Sequence, residues 1–111
     1  MDLAESRHGL TLVLTPRGRL DGRSTPAFEE RLLGCIAAGE RSILLDCSAL
    51  DYISSTGLRT VLTASKRLND ADGRFALCAL NANLAEVFRI SGFETIMAIH
   101  PDAATALATF A

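Results

Sequence analysis

No stretch of this 111-residue sequence is apolar for long enough to cross a bilayer, so direct membrane insertion is not expected. The opening MDLAESRHGL lacks a basic start followed by an apolar core. No secretory signal is therefore expected, and the predicted location is cytoplasmic. Lysine and arginine number 11 against 13 acidic residues, a net charge of −2, and they are scattered. Without a basic patch carrying interleaved aromatics, nucleic acid is not an expected partner. The three cysteines, Cys35, Cys47 and Cys78, form no CxxC pair, and each sits inside an apolar pattern. They read as reduced, buried thiols. His8 and His100 lie beside turn signals and join no ligand constellation, so neither metal nor cofactor is expected. Phosphate-cradling glycine motifs and a Gly-x-Ser-x-Gly elbow are missing. Asp46 lacks the acidic cluster that an aspartyl phosphoacceptor needs. The sequence thus weighs against an enzyme and names no catalytic residue.

Hydrophobic residues make up 49% and charged residues 22%, the balance of a globular protein with a core. The length suits one domain over residues 1–111. Leu10, Leu12 and Leu14 alternate with Thr11, Val13 and Thr15, which predicts a half-buried strand. A shorter strand is expected at 3–5, with a turn over 6–9, and another at 19–21. Ser24-Thr25-Pro26 reads as a capping hydroxyl followed by a first-turn proline, opening a helix whose stripe is Phe28, Leu32, Cys35 and Ile36. Gly39 is its expected stop. Further strands are expected at 43–47, 75–80 and 96–99, with helices at 57–69, 82–91 and from 101 onward. Alternating strands and helices predict an α/β fold: a mostly parallel central sheet of four to five strands covered by about four helices.

The chain is organised around ILLDCSALDYISSTGLRTVLTASKRL, residues 43–68. Ile43, Leu44 and Leu45 read as a strand buried on both faces. In the helix that follows, Leu58, Val61, Leu62, Ser65 and Leu68 fall on one side, and Arg59, Thr63, Lys66 and Arg67 on the other. Between strand and helix stand three consecutive hydroxyls, Ser54, Ser55 and Thr56. They admit two readings. Serine and threonine cap the unpaired N–H groups of a helix start. The same terminus favours negative charge, so a serine here could also carry a phosphate that adds about −1.5 to −2 of charge to the surface.

These residues resemble the signature of STAS domains, named for sulfate transporters and anti-sigma factor antagonists. Gly18-Arg19-Leu20-Asp21 precedes the first helix as in that family. The strand ending at Asp46 is followed by Tyr52-Ile53-Ser54-Ser55-Thr56-Gly57, and "VFRISGF" matches the family's third helix and its stop. The resemblance covers nearly the whole chain and implies a single STAS-like domain. In bacterial anti-sigma factor antagonists (anti-anti-sigma factors) it implies partner switching. The unphosphorylated domain binds an anti-sigma factor that is also a serine kinase of histidine-kinase-like ATPase fold. Phosphorylation of the motif serine releases it, and a metal-dependent serine phosphatase restores the first state. Carried over here, the acceptor is Ser55. Where the family often has aspartate just before the serine this chain has Ser54, which is the second choice. Asp21, Gly22, Ser24, Thr25, Ser54, Ser55, Thr56, Gly57 and Arg59 are the expected partner-binding positions. Asp21 has two readings, bonding loop N–H groups or meeting the partner. Gly57 has a structural one, close backbone approach or an unusual turn. The rival readings are a STAS subunit of a lipid-transport ATPase complex and another phosphorylation-independent binding module.

Overall fold

A computed structural model describes residues 2–110. The chain runs β1 (Leu3–His8), β2 (Thr11–Pro16), β3 (Gly18–Leu20), α1 (Thr25–Ala37), β4 (Ser42–Asp46), β5 (Leu50–Ile53) and α2 (Ser55–Asp70). It continues through β6 (Arg74–Cys78), α3 (Ala82–Ile90), a 3-10 turn (Phe93–Thr95), β7 (Ala98–His100) and α4 (Ala103–Phe110). Five strands form the main sheet in the order β1-β2-β4-β6-β7. Only β1 is antiparallel to its neighbour; β2, β4, β6 and β7 run parallel. This is an α/β fold, and the mostly parallel sheet of five strands with four helices among the described residues agrees with the sequence expectation.

Side chains alternate across the sheet, and the two faces are covered differently. On one face Leu12, Leu14, Ile43, Leu45 and Leu77 pack against Phe28 and Leu32 of α1, Val61 and Leu68 of α2, and Leu84 and Phe88 of α3. On the other, Val13, Leu44, Ala76 and Cys78 pack under Ala106 of α4. Because α4 closes this second face, β2 is buried on both sides rather than half-buried. Leu10 does not join it. It sits in the β1–β2 turn, 88% exposed, because β1 runs on to His8 through the segment expected to turn.

Helix α1 ends as expected. Gly39 has φ +113°, a backbone that side-chain-bearing residues rarely adopt. Its start differs from expectation, since Ser24 makes no side-chain cap bond. Helix α2 starts two residues earlier than expected and buries Gly57, Thr60, Val61, Ala64 and Leu68. Small residues occupy the centre of that stripe, while Leu58 and Leu62 pack at its margin, partly buried. Residues 50–53, expected as loop, form β5. It pairs in parallel with β3 to make a separate two-stranded sheet. Of the three thiols, Cys47 and Cys78 are buried but Cys35 is only half-buried.

Candidate functional site

The small β3–β5 sheet leads into the start of α2 and fixes where that helix begins. The Ser54 N–H donates to Leu20 O at 2.7 Å, tying the end of β3 to the entry of α2. Gly57 then packs against the pair from above. A Cβ placed on it would lie 2.8 Å from Ile53 Cγ1 and 3.4 Å from Leu20 Cβ. Carbon atoms in good contact stand about 3.5–4.0 Å apart, so glycine is what allows the approach. This favours the close-approach reading of Gly57, whose position is buried.

The three hydroxyls have different tasks. Ser54 has extended backbone, φ −82° and ψ 170°, and is the N-cap of α2. Its Oγ accepts from the Gly57 N–H at 3.3 Å and lies 3.0 Å from Thr56 Oγ1. Ser55 is the first helical residue and is exposed; its hydroxyl enters neither of these bonds. Thr56 is exposed as well, and its carbonyl accepts from Thr60 Oγ1 at 3.2 Å. Arg59 is exposed one turn beyond Ser55 on the same side of the helix.

The β3–α1 loop, also joined to β3, contributes Asp21, Gly22 and Ser24. Asp21 Oδ1 accepts from the Arg23 N–H at 3.0 Å and the Ser24 N–H at 3.3 Å. Those bonds, with the Ser24 hydroxyl and the Arg19 guanidinium, hold its carboxyl below the usual range. The loop-holding reading of Asp21 thus has a direct geometric basis. Ser24 Oγ donates to Arg19 O at 2.5 Å and accepts from the Asp21 N–H at 3.0 Å. Its hydroxyl closes the loop instead of capping α1. Gly22 is exposed, and Arg19 stacks 4.2 Å above the ring of Tyr52. Tyr52 is itself 40% exposed.

Two expected partner-binding positions need correction. Thr25 is 4% exposed, because it begins the same inward stripe as Phe28, Leu32 and Ile36. Gly57 is buried against Ile53 and Leu20. Neither presents a surface to a partner. The sequence reading omitted Arg19 and Tyr52 from the site. The signal lay in the polar–aromatic pair Asp51-Tyr52 between two apolar residues, an exposed interruption in a short strand.

The remaining ionisable groups offer little chemistry. Among the described residues no cluster of His, Cys, Asp and Glu is arranged to hold a metal ion. No helix among them is long and apolar enough to cross a membrane. What the arrangement exposes is the hydroxyl-bearing start of α2.

Comparison with known proteins agrees with this architecture. The protein named "Putative anti-sigma factor antagonist BtrV", from Bordetella bronchiseptica, is 37% identical over 99 residues, covering 89% of this chain and 85% of its own. The solved fold of an anti-sigma factor antagonist from Mycobacterium paratuberculosis superposes with a TM-score of 0.89 at 20% identity, over 97% of this chain and 92% of that one. The Bacillus cell fate determinant SpoIIAA, solved in its phosphorylated form, gives 0.79 at 20% identity, over 99% and 100%. The STAS domain family model matches residues 3–106, the span from β1 into α4. By that match, the chain belongs to the STAS domain family.

Proposed function

We propose that this chain is an anti-sigma factor antagonist that works by phosphorylation-controlled partner switching. Unphosphorylated, it binds an anti-sigma factor that doubles as a serine kinase of histidine-kinase-like ATPase fold. Phosphorylation of Ser55 releases it, and a metal-dependent serine phosphatase resets it. The relative named as an anti-sigma factor antagonist, covered over most of both chains, supports the general role. The observation that carries the site is the contrast between neighbours. Ser54 is spent on capping α2, while Ser55 is exposed at its first turn.

The electrostatics favour this reading. A phosphate on Ser55 would stand at the positive end of α2, where N–H groups of the first turn lack intrahelical partners. The helix start therefore tolerates it, and negative charge there is typically worth about 0.3–1 kcal/mol. A partner packed over the same hydroxyl would have to find counter-charge or water for a charge of about −1.5 to −2 beyond what the helix start and Arg59 supply. Each ~1.4 kcal/mol of that penalty weakens binding tenfold. The fold stays and the complex separates.

The test uses the purified chain with the histidine-kinase-like ATPase encoded nearest to its gene. Incubation with ATP and mapping by mass spectrometry should place phosphate on Ser55, in wild type and in Ser54→Ala. Ser54→Ala should also lose about 1 kcal/mol of stability with its cap. Ser55→Asp should abolish binding to that partner while its melting temperature stays near wild type. A stable complex formed equally by wild type, Ser55→Ala and Ser55→Asp would overturn the switch and favour a phosphorylation-independent module.

A further inference from the structure

β1 is the outermost strand of the main sheet, and its free edge has a definite chemistry. The Arg17 N–H donates to Asp2 O at 2.9 Å, continuing the antiparallel register that pairs Leu3 with Pro16 and His8 with Thr11. Bonded and non-bonded pairs alternate along such a ladder. Ala4, Ser6 and His8 therefore turn their main-chain groups toward β2, and Leu3, Glu5 and Arg7 turn theirs outward. Pro16, which has no N–H to give, stands opposite Leu3, as this alternation requires.

The two central outward residues carry opposite charges. Glu5 is held by Arg31 of α1 at 2.8 Å. Arg7 makes a two-pronged contact with Glu40, at 3.1 Å and 2.5 Å. Both side chains thus stand on the face of the sheet that α1 covers, half in solvent. Charged side chains on an edge strand usually deter pairing with a foreign strand. Here they match the same strand reversed.

We propose that β1 pairs antiparallel with β1 of a second copy, in a register centred on Ser6, to form a two-fold dimer with one continuous sheet. In that register Glu5 of each copy lies opposite Arg7 of the other, and these residues supply the outward N–H and C=O groups for the new ladder. Each new ion pair joins the existing ones, so that a chain of charges Arg31–Glu5–Arg7–Glu40 crosses the junction twice. The neighbouring registers fail on charge. Centring on Glu5 sets Glu5 against itself, and centring on Arg7 sets Arg7 against itself, which is unfavourable for directly opposed side chains. This inference does not depend on the function proposed above.

Sedimentation equilibrium on the full chain, across concentration and salt, provides the test. Wild type should show a monomer–dimer equilibrium that weakens as salt rises. Glu5→Arg and Arg7→Glu should each weaken the dimer at least about tenfold, since each sets like charges opposite one another at both symmetric contacts. An equimolar mixture of the two variants should recover a dimer, now a heterodimer, because each supplies what the other lacks. Arg7→Pro removes an outward N–H without touching the β2 ladder, and should be monomeric with an unchanged far-ultraviolet spectrum. A wild type that stays monomeric to millimolar concentration would overturn the proposal. So would a dimer indifferent to Arg7→Pro, or well-folded single variants whose mixture fails to associate.

Discussion

Replacing Gly57 by alanine adds one methyl group where α2 comes down on β3 and β5. Two effects oppose each other. Within a helix alanine is favoured over glycine by up to about 1 kcal/mol, and less near the first turn, where Gly57 sits. Against this, the new Cβ would lie 2.8 Å from Ile53 Cγ1, with Ile53 Cδ1 and Leu20 Cβ each at 3.4 Å. Roughly 0.7 Å or more of separation must be recovered. Ile53 is β-branched and 6% exposed, so it has little room to rotate. An off-rotamer side chain costs about 0.5–1.5 kcal/mol, and overpacking of this kind about 1–3 kcal/mol. The overlap wins, and the expected net loss is about 1–2 kcal/mol.

Gly34 is the internal control. It lies in the last turn of α1, exposed, and a Cβ there meets nothing within 4 Å. Gly34→Ala should therefore gain about 0.5–1 kcal/mol from propensity alone. Urea denaturation followed by circular dichroism measures both variants against wild type, with unchanged slopes showing that only stability moved. Hydrogen exchange at the Ser54 amide adds a local readout, because easing the overlap pushes the start of α2 away from Leu20, to which that amide is bonded at 2.7 Å. A Gly57→Ala protein as stable as wild type, with Gly34→Ala stabilised as expected, would show that the packing at this junction is looser than described and would remove the reason for glycine.

Two further outcomes concern the Asp21 carboxyl and the thiols. The Asp21 carboxyl is held below its ordinary value of 3.8, chiefly by the Arg23 and Ser24 N–H groups. A depressed folded-state value gives stability that is present above the unfolded value and is lost as pH falls through the folded one. Asp21→Asn should therefore be less stable than wild type at neutral pH, and the gap should close in acid, as pH-dependent thermal melts would reveal; a constant gap would refute the assignment. Burial pushes the Cys78 thiol up to about 12 and the Cys47 thiol higher still. In the native protein a thiol reagent should modify half-buried Cys35 first, with Cys47 and Cys78 reacting only on unfolding, and rapid labelling of all three would contradict the buried placement.

The alternation of strands and helices was readable because each strand of the parallel sheet is a short apolar run and each helix carries a three-and-four stripe. What escaped the sequence was decided by tertiary context. Leu50-Asp51-Tyr52-Ile53 has only two buried residues, and it is a strand because β3 lies beside it. A four-residue run with that pattern carries almost no periodicity of its own. The expected α2 stripe is Leu58, Val61, Leu62, Ser65 and Leu68, of which Val61 and Leu68 are buried while Leu58 and Leu62 lie at the margin. The buried face also uses Gly57, Thr60 and Ala64, small residues that let the helix come close beside Val61 and Leu68. Ser24 looked like a cap because Pro26 follows, yet its hydroxyl turns back to Arg19 O. The three hydroxyls at 54–56 stand out in the sequence alone. The family resemblance ranks Ser55 before Ser54; what the structure adds is the extended backbone of Ser54, which makes it the cap, beside an exposed Ser55.

The way the site is built bears on how a modification there would be read. Ser55 belongs to a helix whose entry is fixed from below by the bond from Ser54 to Leu20 and by the contact of Gly57 with Ile53. The adjoining Asp21 loop is closed by its own bonds to Arg23 and Ser24. None of these restraints uses the Ser55 side chain. A charge placed on that hydroxyl therefore has no internal contact to break and no loop to release. Its energy would be spent on whatever lies against the exposed start of α2, where Ser55, Thr56 and Arg59 stand. A mobile loop could also carry an exposed serine, but it would adapt to the added charge and blunt the effect on binding. A helix start tied down by the Ser54–Leu20 bond and the Gly57 contact would adapt less, so more of the cost would fall on a complex formed over it. This is why Ser55→Asp is expected to separate partner binding from stability, and why loosening the junction through Gly57 should weaken that separation before it abolishes the fold.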